Sequence, residues 1–169
     1  MKLNKAGDAS FFHFGGGIIG IMFGTPPEVY GLIDLFGGTE NYASALSANR
    51  VDLIVLRAIK SGETTRYKEL SGFPLPDEDA TLLRTALTCD ATYDWNEDYF
   101  DFDDPEFSYR VKLRSQGRVA SVDLSMSEGI ARVIVDGHEV GRTSFKVGYA
   151  AIHSILERHF PNSVEPLRQ

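Results

Sequence analysis

Carboxylates crowd into one stretch of the sequence, between Asp90 and Phe107, which holds no Lys or Arg. Paired carboxylates can bind a divalent cation, or can act as a general acid and a general base. The spacing Asp94-x-Asn96-x-Asp98 matches the first three ligand positions of an EF-hand loop. However, Tyr99 stands where that loop needs Gly, and Pro105 stands where it needs a bidentate Glu. The spacing therefore argues against an EF-hand, and we assign no metal ligand.

The same stretch is rich in aromatic side chains, which acidic disordered tails lack. Its acids are Asp90, Asp94, Glu97, Asp98, Asp101, Asp103, Asp104 and Glu106, and its aromatics are Tyr93, Trp95, Tyr99, Phe100, Phe102 and Phe107. The chain has a formal net charge of −7, yet its remaining residues comprise 16 acids and 17 bases. The whole net charge thus lies in residues 90–106, which we call the acidic segment.

Aromatic side chains serve as buried anchors at protein interfaces, and carboxylates steer the approach of a basic partner. We therefore expect partner-binding residues at Asp94, Trp95, Glu97, Asp98, Tyr99, Asp101, Asp103 and Asp104. The alternative is a plain surface loop whose acids pair with bases of the following strand, namely Arg110, Lys112 and Arg114.

This charge pattern favours a protein-binding inhibitor of the bacterial immunity or antitoxin kind, which would cover a basic site on a partner such as a toxin or nuclease. We expect no catalysis and no cofactor. Two other functions stay open: a metal-dependent enzyme that uses the carboxylates of residues 94–104, and a membrane-associated protein that uses the apolar run Phe11–Gly24. The acidic balance argues against nucleic-acid binding. The single cysteine, Cys89, fits a reducing cytoplasm.

Three other motifs give weaker evidence of a functional site. Gly15–Gly20 formally matches G-x-G-x-x-G, but Pro26-Pro27 follows too soon for the long helix that a dinucleotide site needs. The four histidines lack the spacing of a zinc site. A helix-turn-helix over Val51–Leu87 would have an acidic second helix, which argues against DNA recognition.

Periodicity predicts the elements that position these residues. A first helix should start at the capping sequence Thr25-Pro26-Pro27-Glu28 and end at Gly37-Gly38. A second should span about Asn41–Lys60, a third should begin at Asp77, and a last should run from about Lys146 to Phe160. Between the third and the last helix, alternation predicts an antiparallel meander of about four strands over residues 107–143, with Asp136-Gly137 as a hairpin turn.

These elements predict one α+β domain over residues 1–169, with N-terminal helices, then the meander, packed by a C-terminal helix. Residues 1–24 are a Gly-rich apolar part and residues 25–89 a helical part. The acidic segment and then residues 107–160, the meander and last helix, complete the domain.

Overall fold

A computed structural model of the chain describes residues 31–62, 64–95, 105–161 and 163–167. These residues form a mixed α+β fold in which helices pack on one antiparallel sheet. The described helices are α1 (Leu32–Leu35), α2 (Thr39–Leu46), α3 (Asp77–Leu87) and α4 (Tyr149–His159), with a 3-10 turn at Asp90–Thr92. The described strands are β1 (Arg50–Ser61), β2 (Thr64–Pro74), β3 (Tyr109–Ser115), β4 (Arg118–Ser125), β5 (Ile130–Val135) and β6 (His138–Ser144).

The six strands form one sheet in the order β2-β1-β3-β4-β5-β6. Strands β3 to β6 are the meander that the alternation predicts. Its turns at Gln116-Gly117 and Asp136-Gly137 have positive φ at both residues, as a two-residue type I′ hairpin requires. The terminal helix is also present, as α4.

The predicted second helix, about Asn41–Lys60, is wrong over most of its length. Helix α2 ends at Leu46, and the chain from Arg50 onward is strand β1, so the sheet has six strands rather than four. An apolar run such as residues 53–56 fits a buried helix or a buried strand equally well by pattern. Residues 51–54 are all buried, so both faces of β1 are covered. The sequence therefore shows no alternation of apolar and polar residues that would indicate a strand.

The helix-turn-helix considered for Val51–Leu87 is wrong for the same reason, because β1 and β2 form an antiparallel hairpin there. Strand β2 also takes in Ser71–Pro74, although Gly and Pro residues are typical of a loop. The predicted third helix is confirmed as α3, with three acids in its first turn. Leu83 and Leu87 are buried on it, whereas Leu82 is exposed.

Only the end of the predicted first helix lies within the described residues, as α1. Leu32 and Phe36 are buried, whereas Ile33 is exposed. The proposed cap at Thr25, the Gly15–Gly20 motif and the apolar run Phe11–Gly24 all lie outside the described residues.

One hydrophobic core lies between the sheet and the helices, and every described helix contributes to it. The sheet supplies side chains that alternate along the strands, among them Leu53, Val111, Leu113, Val122, Leu124 and Val133. This arrangement leaves the other sheet face to the intervening residues of each strand, which include Arg110, Asp123 and Arg132. Among the described helices, none has the length and apolar character needed to cross a membrane.

We predict that Gly141→Ala destabilises the protein by about 2 kcal/mol or more, as overpacking of a core does. A Cβ at Gly141 would lie 2.8 Å from the Cα of Leu35 and closer still to its carbonyl oxygen. These are backbone atoms, so strand β6 and helix α1 would have to separate. Urea unfolding measures the effect, with Gly31→Ala as the control because a Cβ there meets nothing within 4 Å. Equal stability of the two variants would contradict the prediction.

Candidate protein-binding site

Near its start the acidic segment is fixed to the main core by two aromatic side chains. Tyr93 is buried, its hydroxyl donates a hydrogen bond to the Leu87 carbonyl oxygen at 2.7 Å, and burial raises the pKa of that hydroxyl. The ring of Trp95 lies 5.3 Å from that of Tyr93 and packs against the same core. The Trp95 indole N–H is buried and makes no hydrogen bond within the described part of the chain. Trp95 therefore acts as an anchor.

Asp94 is held between these two aromatics by the end of strand β6. Its backbone N–H donates to the Ser144 carbonyl oxygen at 3.0 Å, which makes a single β-bridge. The Thr143 hydroxyl donates to the Asp94 carbonyl oxygen at 3.4 Å. Both contacts use the backbone of Asp94 and leave its carboxylate out of the bridge.

The other end of the acidic segment is fixed on the opposite sheet face. The Tyr67 hydroxyl donates to the Pro105 carbonyl oxygen at 3.0 Å. Phe107 is only 1% exposed and packs in a second, smaller cluster with Ile54, Leu56 and Ile130. The chain between Trp95 and Pro105 is therefore tethered at both ends.

The two tethers lie at the same end of the sheet, as the strand register shows. Ser144 of β6 lies opposite Ile130 of β5, which lies opposite Ser125 of β4. One residue earlier on β4, Leu124 lies opposite Tyr109, the first residue of β3. The remaining predicted partner-binding residues, Glu97, Asp98, Tyr99, Asp101, Asp103 and Asp104, lie outside the described residues, so their role stays a prediction.

A second charged region, which the sequence pattern does not reveal, covers the sheet face away from the main core. Its ten charged side chains form two networks of ion pairs, one of three side chains around Asp52 and one of seven side chains that includes Glu69, Asp123 and Glu139. We call this set the charged face; it comprises Arg50, Asp52, Glu69, Arg110, Lys112, Arg114, Asp123, Arg132, Glu139 and Arg142.

Asp123 is the most deeply buried member of the charged face, with its side chain 0% exposed. It lies on β4 directly opposite Arg110 of β3 and Arg132 of β5. Arg110 donates Nε and Nη2 to the two carboxylate oxygens at 2.6 and 3.0 Å, and Arg132 donates Nε and Nη2 to Oδ2 at 3.0 and 2.9 Å. A buried carboxylate needs such partners because it has lost its hydration. The bond to Asp123 in turn raises the pKa of Arg110.

Arg132 also links this ion pair to the tether of the acidic segment. Its guanidinium carbon lies 4.1 Å from the centre of the Phe107 ring and 4.6 Å from that of Tyr67, within cation–π range. On the next strand, Arg142 makes two hydrogen bonds to Glu139, at 2.9 and 3.0 Å. Glu139 thus separates the positive charges of β5 and β6.

The bases that follow the acidic segment in sequence bind carboxylates from other parts of the chain. Lys112 Nζ lies 2.8 Å from Glu69, which also accepts a bond from Arg110 at 3.0 Å. Arg114 donates Nε to Asp52 at 2.6 Å. The local pairing with the acidic segment, which was the alternative interpretation, is therefore not how these three bases are engaged among the described residues.

These bonds shift the acidity of both carboxylates. Burial alone raises the pKa of Asp52, but hydrogen bonds from Arg114 and Arg50 outweigh it, so the pKa lies below the ordinary value of 3.8. Burial likewise raises the pKa of Glu69, and bonds from Lys112 and Arg110 bring it below the ordinary 4.5.

A depression of about 380 Å³ lies on the charged face between β2 and β3. Its charged lining residues include Asp52, Glu69, Lys112 and Arg114, which are already paired with each other. A ligand in this depression would have to compete with those ion pairs.

The described histidines lie in separate places. His159 Nε2 is 2.8 Å from Asp79, which links α4 to α3, and His153 lies 3.7 Å from Glu157 on its own helix. Across the described ranges, no group of three or more His, Cys, Asp or Glu side chains is arranged to hold a metal ion. Comparison of the chain with family models, curated proteins and solved structures found no match.

We predict that Asp123→Ala destabilises the protein by about 3 kcal/mol or more, because it leaves two largely buried guanidinium groups without their carboxylate. Urea unfolding measures the change. Glu40→Gln is the matched control, since it removes an ion pair to Arg118 whose side chains are 81% and 56% exposed, and such pairs contribute about 1 kcal/mol or less. A loss at Asp123 no larger than that of the control would disprove the structural role of this carboxylate.

A second prediction concerns pH. Because the folded pKa values of Asp52 and Glu69 are depressed, the unfolded chain binds protons first as the pH falls, so their stabilisation is present near neutrality and is lost in acid. Stability should decline as the pH drops below about 4.5. The double variant Asp52→Asn, Glu69→Gln should be less stable at pH 7 and show a flatter decline. Denaturant unfolding at a series of pH values tests this, and an identical decline in both proteins would refute it.

Proposed function

We propose that this chain is a protein-binding inhibitor of the immunity or antitoxin kind, whose acidic segment covers a basic site on a partner protein. The observation that carries the proposal is the engagement of Arg110, Lys112 and Arg114 by Asp123, Glu69 and Asp52. These bases are bound to carboxylates elsewhere in the described part of the chain, where the alternative interpretation expected them to pair with the acidic segment. The proposal assigns the charge of the acidic segment to a partner.

The charge count supports the same conclusion. The acidic segment has eight acids and no base, whereas the rest of the chain is balanced at 16 acids and 17 bases. A strong local electrostatic potential of this kind speeds the encounter with a basic surface and orients the two proteins before contact. A salt-sensitive association rate is the expected signature.

The tethers refine the roles of the predicted residues. Trp95 packs on the main core and Phe107 on the second cluster, so both act in holding the segment. Contact with the partner then falls to the intervening Glu97, Asp98, Tyr99, Asp101, Asp103 and Asp104. Fixing both ends of a binding segment lowers the entropy that must be lost when it binds.

An inhibitor that covers a basic site on its partner needs no catalytic group of its own. The acids would bind the partner's basic groups in place of an anionic substrate, and the aromatics between them would exclude water from the contact. Charge-assisted hydrogen bonds from Arg or Lys to carboxylates are the strongest contacts available to such a surface. Inhibition would therefore be competitive with an anionic substrate.

The test replaces Asp98, Asp101, Asp103 and Asp104 together with Asn. The partner candidate is the protein encoded beside this gene, purified and assayed for an activity that the wild-type chain inhibits. We expect the variant to lose at least about tenfold in affinity, and the salt dependence of association to weaken, because four steering charges are gone.

A control variant loses the same net charge elsewhere on the exposed surface, through Glu40→Gln, Asp77→Asn, Glu78→Gln and Glu157→Gln. It should bind and inhibit as the wild type does. If the four-Asn variant keeps full affinity and an unchanged salt dependence, or if both variants weaken equally, the acidic segment is not the inhibitory surface.

A further inference from the structure

The hairpin formed by β1 and β2 is longer than the strand beside it. Strand β3 pairs with β1 only along Arg50–Val55, whereas β2 pairs with β1 as far as Ser61 opposite Thr64. Residues 57–61 and 64–68 thus form a two-stranded ribbon that no further described strand accompanies. Five residues of strand extend roughly 16 Å. We call this ribbon the β-arm.

The β-arm has four exposed bases, Arg57, Lys60, Arg66 and Lys68. Their side chains form no ion pair or hydrogen bond within the described structure. This is the reverse of the charged face, where each of the bases binds a carboxylate. The only acid of the hairpin turn, Glu63, lies outside the described residues.

The strand register gathers three of these bases on one side of the ribbon. Arg57 lies directly opposite Lys68, and Arg66 lies two residues before Lys68. Like charges directly opposite on paired strands are destabilising, so this arrangement costs stability that a carboxylate at either position would restore. An anion from outside the chain would relieve the same repulsion.

The acidic segment is tethered to the other side of the ribbon. Successive side chains of a strand point to opposite faces, so Tyr67 faces away from Arg66 and Lys68. Its hydroxyl binds Pro105, the described residue at the end of the tethered chain. The ribbon backbone therefore lies between this tether and the three clustered bases.

We propose that the β-arm binds duplex DNA, with the ribbon in the major groove and its bases on the backbone phosphates. The major groove of B-form DNA admits a two-stranded β-ribbon, whereas that of A-form RNA is too narrow for side chains to read. The net negative charge that argued against nucleic acid is concentrated in the acidic segment.

The test measures binding of a fluorescent mixed-sequence DNA duplex by anisotropy, with the full chain. We expect a Kd within about 1–100 μM at physiological salt, and a slope of log K against log salt of about −3 for three to four phosphate contacts. The variant with Arg57, Lys60, Arg66 and Lys68 replaced by Gln should bind at least about tenfold more weakly.

Two controls accompany this variant. Replacing Arg50, Arg118, Lys146 and Arg158 with Gln removes the same charge from other exposed positions and should leave most of the affinity. Replacing Arg57 and Arg66 with Lys keeps the charge of the β-arm and should leave the salt slope unchanged. The second control keeps the proposal testable even if the four-Gln variant folds poorly.

Four results would overturn the proposal. The first is no binding of the DNA duplex by the wild type at about 100 μM protein, and the second is equal weakening of DNA binding in the four-Gln variant and its charge control. The third and fourth are binding of an A-form RNA duplex, or of polyglutamate, as tightly as the DNA duplex. Either of these last two results would mean that the β-arm binds polyanions in general or an acidic protein.

The proposal is independent of the inhibitory function, and one variant separates them. The four-Asn variant of the acidic segment should bind DNA more tightly, because it removes repelling charge, although it should bind its protein partner more weakly. Unchanged or weaker DNA binding by that variant would argue against the proposal that the β-arm bases contact the DNA phosphates.

Discussion

Asp123 is the constraint on which the charged face depends, because its carboxylate is wholly buried on a central strand. A buried charge must be paired, and the two arginines that pair with it lie directly opposite on β3 and β5. A slip of one residue in either strand would turn the arginine to the other face. The pairing therefore fixes the register of the three central strands, and through Arg132 it also positions Phe107 and Tyr67.

This geometry brings one tether of the acidic segment against the basic β-arm. Tyr67 joins them, since its ring packs on Phe107 while its strand continues into the β-arm. In the charged face every base binds a carboxylate, and each of the four carboxylates is shared between two bases. The two places where we propose binding are the acidic segment and the β-arm.

The prediction of the fold failed where burial was two-sided. Strands β3 to β6 alternate because one face meets the core and the other carries polar groups, so the pattern reveals them. Strand β1 is covered on both faces at residues 51–54, since Ile54 packs in the second cluster while Leu53 packs in the main core. A continuous apolar run then favours a helix by pattern. Because β1 was predicted as a helix, the β-arm and its bases could not be inferred from the sequence.

The sequence by itself determined the α+β class, the meander with its turns, helices α3 and α4, and the confinement of the net charge to residues 90–106. These features depend on local periodicity, turn chemistry and counting, none of which needs a distant contact. Only the tertiary structure decided which charges pair, because Glu69 and Asp52 reach their bases on β3 across 41 to 62 residues of sequence. It likewise decided that Trp95 is an anchor, since burial depends on what packs against it.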